Sequence, residues 1–497
     1  LARAEADPAS GATARVEPLR ERRREDELLS HSSQGAIARL AAWLAALRAE
    51  DFPQRAIERA KLLLLDTLGC GFAALDDDCA RAVLATLDAL GEKPQCTVLG
   101  HPRGMSAPSA VLANGTLIRV LDLNDYLVGA HPQSGARGGH PSDNIPVALA
   151  AAELAGSPGR DLLAAIVLAY EIYGRGKALM DADSVWDGVS ISGVVAPAVA
   201  GWLVRLPQHK LAHAIALGAA RAATPVAVRE GGISAAKNIA NALIAQNGMQ
   251  ATLLAAQGVT GPLDLFEAER GLRAVFPRGP AGDIFGAPLP DDGFIVRSAI
   301  KAYPCFAGGQ SAVAAGIALH RLVGGSVDRL KTIRVALADL PIVRRWLADP
   351  GRIEPRSREA ADHSLHFLIA VALTDGTFGL RQFDDARWND AKVRALMTRL
   401  AITTDADMTS RAAEAYPCAL HAIEHDGRPY DVEILQPPGF SPDGLDTQTV
   451  LDKFAGVTER HLAPDRRNGI VDAIMALDKA ASCDGLMRRL VTERTVA

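Results

Sequence analysis

Two carboxylates and an imidazole stand close together in the run Arg119–Ala150, RVLDLNDYLVGAHPQSGARGGHPSDNIPVALA. Asp122, Asp125 and His140 are the side-chain types needed to take a proton at one atom and deliver one at another. The spacing of Asp122 and Asp125 is i,i+3, and a helix through them would put both on one face. Gly129, Gly135, Gly138 and Gly139 then lead to His140, directly before Pro141. Ser142, Asp143 and Asn144 are N-cap candidates for an Ala/Leu helix that starts near Pro146. The plain alternative is that all these polar groups cap helices and nothing more. Spacing alone leaves both readings open.

Other residues can be read both ways as well. Lys237 sits among small apolar neighbours, either snorkelling to solvent or held desolvated for an anion. Lys301, in IKAYPCFAGGQ, joins a cation to a Pro/Gly turn with exposed amides, either an anion site or a simple turn. Asp187, before Gly188 and a predicted helix, reads as a cap or turn residue. His363 stands at the start of a helix, as a cap, a satisfied core imidazole or a site residue. His131 and His140 have no spacing that marks a metal pair.

The elements that must position these groups are mostly helical. Apolar residues recur at three and four from Ile57 to Leu65, where Gly69 and Gly71 offer a stop. Leu162–Tyr173 is apolar nearly all round, as in a helix buried inside a bundle. Val194–Leu206, with Pro197 in its first turn, Leu211–Ala223 and Ala235–Gln257 read as further helices. Four prolines and four glycines between Pro277 and Gly293 mark a boundary. Beyond it, Thr332–Leu337 reads as a strand, Ala422–Leu435 as a hairpin turning near Asp426-Gly427, and Ser364–Leu373 as a helix. Pro437-Pro438-Gly439 marks a second boundary, after which the pattern is helical again from Thr447. The predicted plan is mainly α: a polar tail over 1–34, a helical domain over 35–294, a smaller α+β domain over 295–438, and a helical return over 439–497.

Composition narrows the function classes. The 53 Lys+Arg against 58 Asp+Glu give a net charge of −5, which offers nothing to nucleic acid or an acidic membrane surface. Hydrophobic residues at 48% with 5% aromatics predict an Ala/Leu/Val interior of closely packed helices. The six cysteines are scattered without a CxxC or Cys/His ligand spacing, as expected of cytosolic free thiols. No apolar run approaches the roughly 20 residues needed to span a bilayer, and the N-terminal residues lack an apolar signal core. A cytoplasmic protein is expected.

Five stretches, in order along the chain, carry a family resemblance: LLLDTLGCG (63–71), LDLND (121–125), GGHPSDN (138–144), KAYP (301–304) and ADHS (361–364). Together they resemble the MmgE/PrpD family, with HPSDN after LDLND most like its 2-methylcitrate dehydratase branch. The resemblance implies a helical domain built from both chain ends, an inserted α+β lid, a homodimer, and an active site in the cleft without metal or organic cofactor. It implies that Asp122 and Asp125 are an acidic pair, His140 the loop histidine, and Lys237 and Lys301 active-site lysines, with His363 beside the substrate. On this basis Lys237, Lys301 and a protonated His140 would hold a polycarboxylate, while Asp122 and His140 divide the acid and base roles and Asp125 orients one of them. The expected activity is a hydro-lyase acting on 2-methylcitrate or a related hydroxy acid. Decarboxylation or epimerisation of a polycarboxylate, and non-catalytic binding of one, are the alternatives. Phe367 and Phe440 stand where the family often carries Tyr and His, and the segment 128–139 is longer than in the dehydratases. Both departures point to a larger or less polar substrate, or to a different reaction of the same type.

Overall fold

Small residues set how closely the helices pack. In the Gln54–Ala73 helix, a Cβ built on Gly69 would lie 2.9 Å from Cδ2 of Phe454, and one on Gly71 only 2.6 Å from Cδ1 of Leu99. These glycines do not end the helix, as their position in the sequence suggests; they let its neighbours press onto it. Gly115 does the same for the Ala107–Arg119 helix, where an added Cβ would meet that of Ala242 at 2.8 Å on the Ala236–Ala256 helix. Pro197 lies inside the Ser192–Leu203 helix rather than in its first turn.

The structure is a computed structural model that describes residues 35–91, 93–128, 138–181, 184–272, 275, 285–290, 293–412, 415–440 and 445–491. The tail over 1–34, His131, and most of the expected boundary at 277–293 and of the long segment 128–139 lie outside the described residues. The protein is mainly α. No described helix is long and apolar enough to cross a membrane.

Apolar side chains fall into two large clusters. The first draws on residues from Ala36 to Ile300 and again from Val450 to Leu490, with the Thr447–Thr458 helix packed on Gln54–Ala73. The second runs from Ala299 to Phe440 and adds Tyr126. It holds a four-stranded sheet of β3 (Leu330–Ala338), β4 (Leu400–Asp405), β5 (Cys418–Glu424) and β6 (Pro429–Ile434), in the order β4-β3-β5-β6. Val335 pairs with Ile402 in the parallel β3/β4 ladder and with Leu420 in the antiparallel β3/β5 ladder. Alternate residues of β5, from Cys418 to Glu424, are buried, so one face packs inward, against the Gln310–Leu322 helix. The hairpin turn contains Gly427 at φ 92°.

Two short strands join the clusters. β1 (Tyr126–Leu127) pairs antiparallel with β2 (Ser298–Ala299), Tyr126 opposite Ala299. This ladder brings the segment after Arg119 alongside the segment leading to Lys301.

Candidate active site

The helix that begins at Ala107 ends at Arg119, so Asp122 and Asp125 lie on a loop and not on one helical face. Asp122 adopts φ 50°, a left-handed conformation that Asp tolerates better than most residues at a cost of about 1–2 kcal/mol. The turn aims its carboxylate into a cluster of cations. Nη1 of Arg119 lies 2.8 Å from Oδ1, Nζ of Lys237 lies 2.9 Å from Oδ2, and the Lys301 ammonium contacts Oδ1 and donates to the Asp122 carbonyl at 2.9 Å. Lys237 also stands 3.3 Å from each oxygen of Asp362, which accepts from Nδ1 of His363. All these side chains are buried. Oxygens of Asp122 and Asp362 and a His363 nitrogen converge within 4.8 Å, and the Lys237 ammonium supplies the positive charge between the two carboxylates.

Burial alone would raise the pKa of Asp122. The charges of Arg119, Lys237 and Lys301 outweigh it and hold the carboxyl well below the usual range. Asp122 therefore has no proton to give and little tendency to accept one, which removes it from the acid/base role expected of it. Burial and the Lys237 ammonium push His363 down to about 3.

His140 is set up differently. Its Nδ1 lies 2.6 Å from the carbonyl oxygen of Asp125. A carbonyl only accepts, so Nδ1 carries the hydrogen and Nε2 keeps its lone pair. Burial first, then the nearby charges of Arg119 and Lys301, depress its pKa well below the imidazole range. The ring is neutral, which overturns the expectation of a protonated His140 holding substrate. Glycine makes this placement possible. A Cβ on Gly138 would fall 1.7 Å from the Leu127 carbonyl, and one on Gly139 would fall 2.1 Å from the Tyr173 hydroxyl.

Asp125 does orient His140, but through its main chain. Its carboxyl is buried elsewhere; burial pushes the pKa up to about 7, against the pull of the Ser142 and Tyr170 hydroxyls. Nor do the Ser-Asp-Asn residues cap a helix by their side chains. They form a 3-10 turn before the Ile145–Ala155 helix, and Asn124 donates to Ser142 Oγ and Asp143 Oδ1, both at 2.9 Å. The helix is stabilised instead by its buried apolar surface, and these polar groups pin the 121–125 loop. Asp143, 3.6 Å from Nε of Arg119, has its pKa raised to about 6 by burial.

A cavity of about 520 Å³ opens beside this cluster, lined by residues of both apolar clusters and the loops between them. Asp122, His140 and His363 face it. Lys237, Lys301 and Asp125 do not: the two lysines lie behind Asp122, so the cations expected to touch substrate instead fix a carboxylate. The cations on the cavity wall are Arg119, Lys177, Arg229, Arg345 and Arg352. The sequence reading missed them, together with Asp143 as an acid. Their signal is weak, since isolated basic residues far apart in the chain resemble any solvated surface. Asp187 caps Val189, as expected, and also pairs with Arg229 at the cavity edge. Phe367 is buried in the second apolar cluster against Phe383 and does not line the cavity. Phe440 stacks on Tyr126, which does. The loss of polarity at 367 therefore says nothing about the substrate.

Residues 38–283 match the MmgE/PrpD N-terminal domain and residues 303–478 the MmgE/PrpD C-terminal domain. A cis-aconitate decarboxylase-like protein of Aspergillus oryzae is 24% identical over 90% of this chain and 96% of its own length. The cis-aconitate decarboxylase of Mus musculus is 24% identical over 87% and 89%. The 2-methylcitrate dehydratase of Cupriavidus necator is 25% identical over 86% and 90%.

Proposed function

The chain belongs to the MmgE/PrpD family, and from that premise we propose that it is a lyase that dehydrates 2-methylcitrate or a related hydroxy-polycarboxylate without a cofactor. The observation that carries this reading is the locked tautomer of His140 on the wall of a cation-lined cavity. Arg119, Arg229 and Arg352 attract substrate carboxylates, and Nε2 of His140 takes the proton from the carbon beside one of them. As the C–H electrons form the double bond, the C–O bond breaks, and the Asp143 carboxyl gives its proton to the departing hydroxide, which leaves as water. His140 then returns its proton to solvent, and Asp143 is reprotonated from it. The bound carboxylates offset the charges that depress His140 and so strengthen it as a base when substrate is present.

The Asp122 hub keeps Lys237 and Lys301 in place beneath the cavity. We read residues 295–438 as an inserted lid that closes over it, and the two molecules of a homodimer as its working form. Tricarballylate should then slow hydrogen exchange in the Pro341–Ala348 helix, and unchanged exchange would count against closure.

A second reading, decarboxylation of a cis-aconitate-like acid, is favoured by the decarboxylases among the relatives. The test is turnover of purified protein on 2-methylcitrate, citrate and cis-aconitate, with products identified by mass. Loss of water from 2-methylcitrate supports the dehydratase. Release of carbon dioxide moves the assignment to decarboxylation, and no reaction with any of the three rules out 2-methylcitrate and cis-aconitate as the substrate.

A further inference from the structure

The cavity is lined by two kinds of group. Cations and polar groups come from Arg119, His140, Lys177 and Arg229, while an aromatic wall stands on Phe306, Trp346 and Tyr416. The indole of Trp346 meets Phe306 edge-on at 4.8 Å and 85°, and it meets Tyr416 at 5.4 Å. Its ring sits where a side chain at 308 would be, since a Cβ on Gly308 would fall 2.4 Å from Trp346 Cζ3. On the same wall the guanidinium of Arg352 lies 5.6 Å from the Phe306 ring centroid and 5.8 Å from that of Trp346. Ile342, one turn before Trp346 on the Pro341–Ala348 helix, extends the apolar surface.

A small, fully hydrophilic acid would meet only the cations and leave the half-buried Trp346 and Ile342 facing water, Phe306 and Tyr416 being buried already. We propose that the substrate is a di- or tricarboxylate carrying a flat apolar group, aromatic or conjugated, that packs against Trp346 and Ile342, with Phe306 stacked on His363 behind them, while its carboxylates meet the arginines. This rests on the polycarboxylate reading above and deepens it. The cavity's volume lies within the roughly 300–1,000 Å³ typical of small-molecule sites. Ring stacking and desolvation supply the selectivity.

The test is calorimetric titration of the full chain with succinate and with 2-phenylsuccinate, which differ only in the ring. Phenylsuccinate should bind at least about tenfold tighter. Trp346→Leu should cut that ratio to about threefold or less, and Ile342→Ala should lower it too, which keeps a readout if the first variant folds poorly. Arg345→Gln, on the same helix, should weaken both ligands and keep the ratio. Equal affinity of the two acids, or a ratio lost equally in Arg345→Gln, overturns the inference but leaves the polycarboxylate reading standing. Binding of neither acid overturns both.

Discussion

At the scale of single residues, protonation states decide what each group can do. His140 is already neutral in mild acid, whereas Asp143, at about 6, must hold its proton to act as the acid. The rate kcat/KM should therefore peak on the acid side of neutrality and fall about tenfold per pH unit well above 6. Asp143→Asn should abolish that alkaline limb along with most of the rate, and a flat profile from pH 6 to 8 would contradict the assignment. His140→Ala should lower kcat by about 10²–10⁴-fold with an unchanged thermal midpoint. Asp125→Asn should retain turnover within a few-fold, because the orienting atom is a main-chain oxygen. Its carboxyl has a different consequence. The native pKa of about 7 stands above the unfolded value, so its neutral form adds stability that is fully present below about pH 4 and lost as pH rises through 7. Urea unfolding at pH 5 and 8 should show wild type losing up to about 2.5 kcal/mol relative to Asp125→Asn across that interval.

At the scale of elements, the β1/β2 ladder and the loop before it hold Asp122 against Lys301. The hub is a buried charge cluster, so removing its centre leaves cations facing one another without compensation. Asp122→Asn should cost about 3–5 kcal/mol of stability, and adding Lys301→Met should recover part of that loss in chemical denaturation. No recovery would mean that the two groups are not coupled. Gly138→Ala acts on the same loop by sterics: the added methyl collides with the Leu127 backbone and moves His140. A displacement of about 1 Å is enough to cost roughly 100-fold in kcat. The variant should keep its circular dichroism spectrum while losing turnover.

At the scale of the whole molecule, the C-terminal segment supports the site from behind. Lys453, on the Thr447–Thr458 helix, lies 2.6 Å from Asp66 of the Gln54–Ala73 helix and donates to the Leu123 carbonyl at 2.9 Å. One ammonium thus ties the two ends of the chain to the loop that bears Asp122. Lys453→Met strands a buried carboxylate and frees that loop, so it should lower stability by about 3–5 kcal/mol and kcat together. Unchanged kcat in a destabilised variant would separate the two effects and remove the loop from the account.

The sequence by itself determined the mainly α fold, the helical periods and the hairpin turn, because each of these is written in local spacing, while it offered Asp122, His140 and His363 as site residues only through motifs shared with a family. It did not determine which way those groups point or what charge they carry. Asp122 becomes an anionic hub only because Arg119, Lys237 and Lys301 converge on it from positions up to 179 residues away. The tautomer of His140, the retreat of both lysines behind the cavity and the aromatic wall around Trp346 arise the same way. Burial and charge at one atom depend on every segment packed around it, and only the tertiary structure brings those segments together.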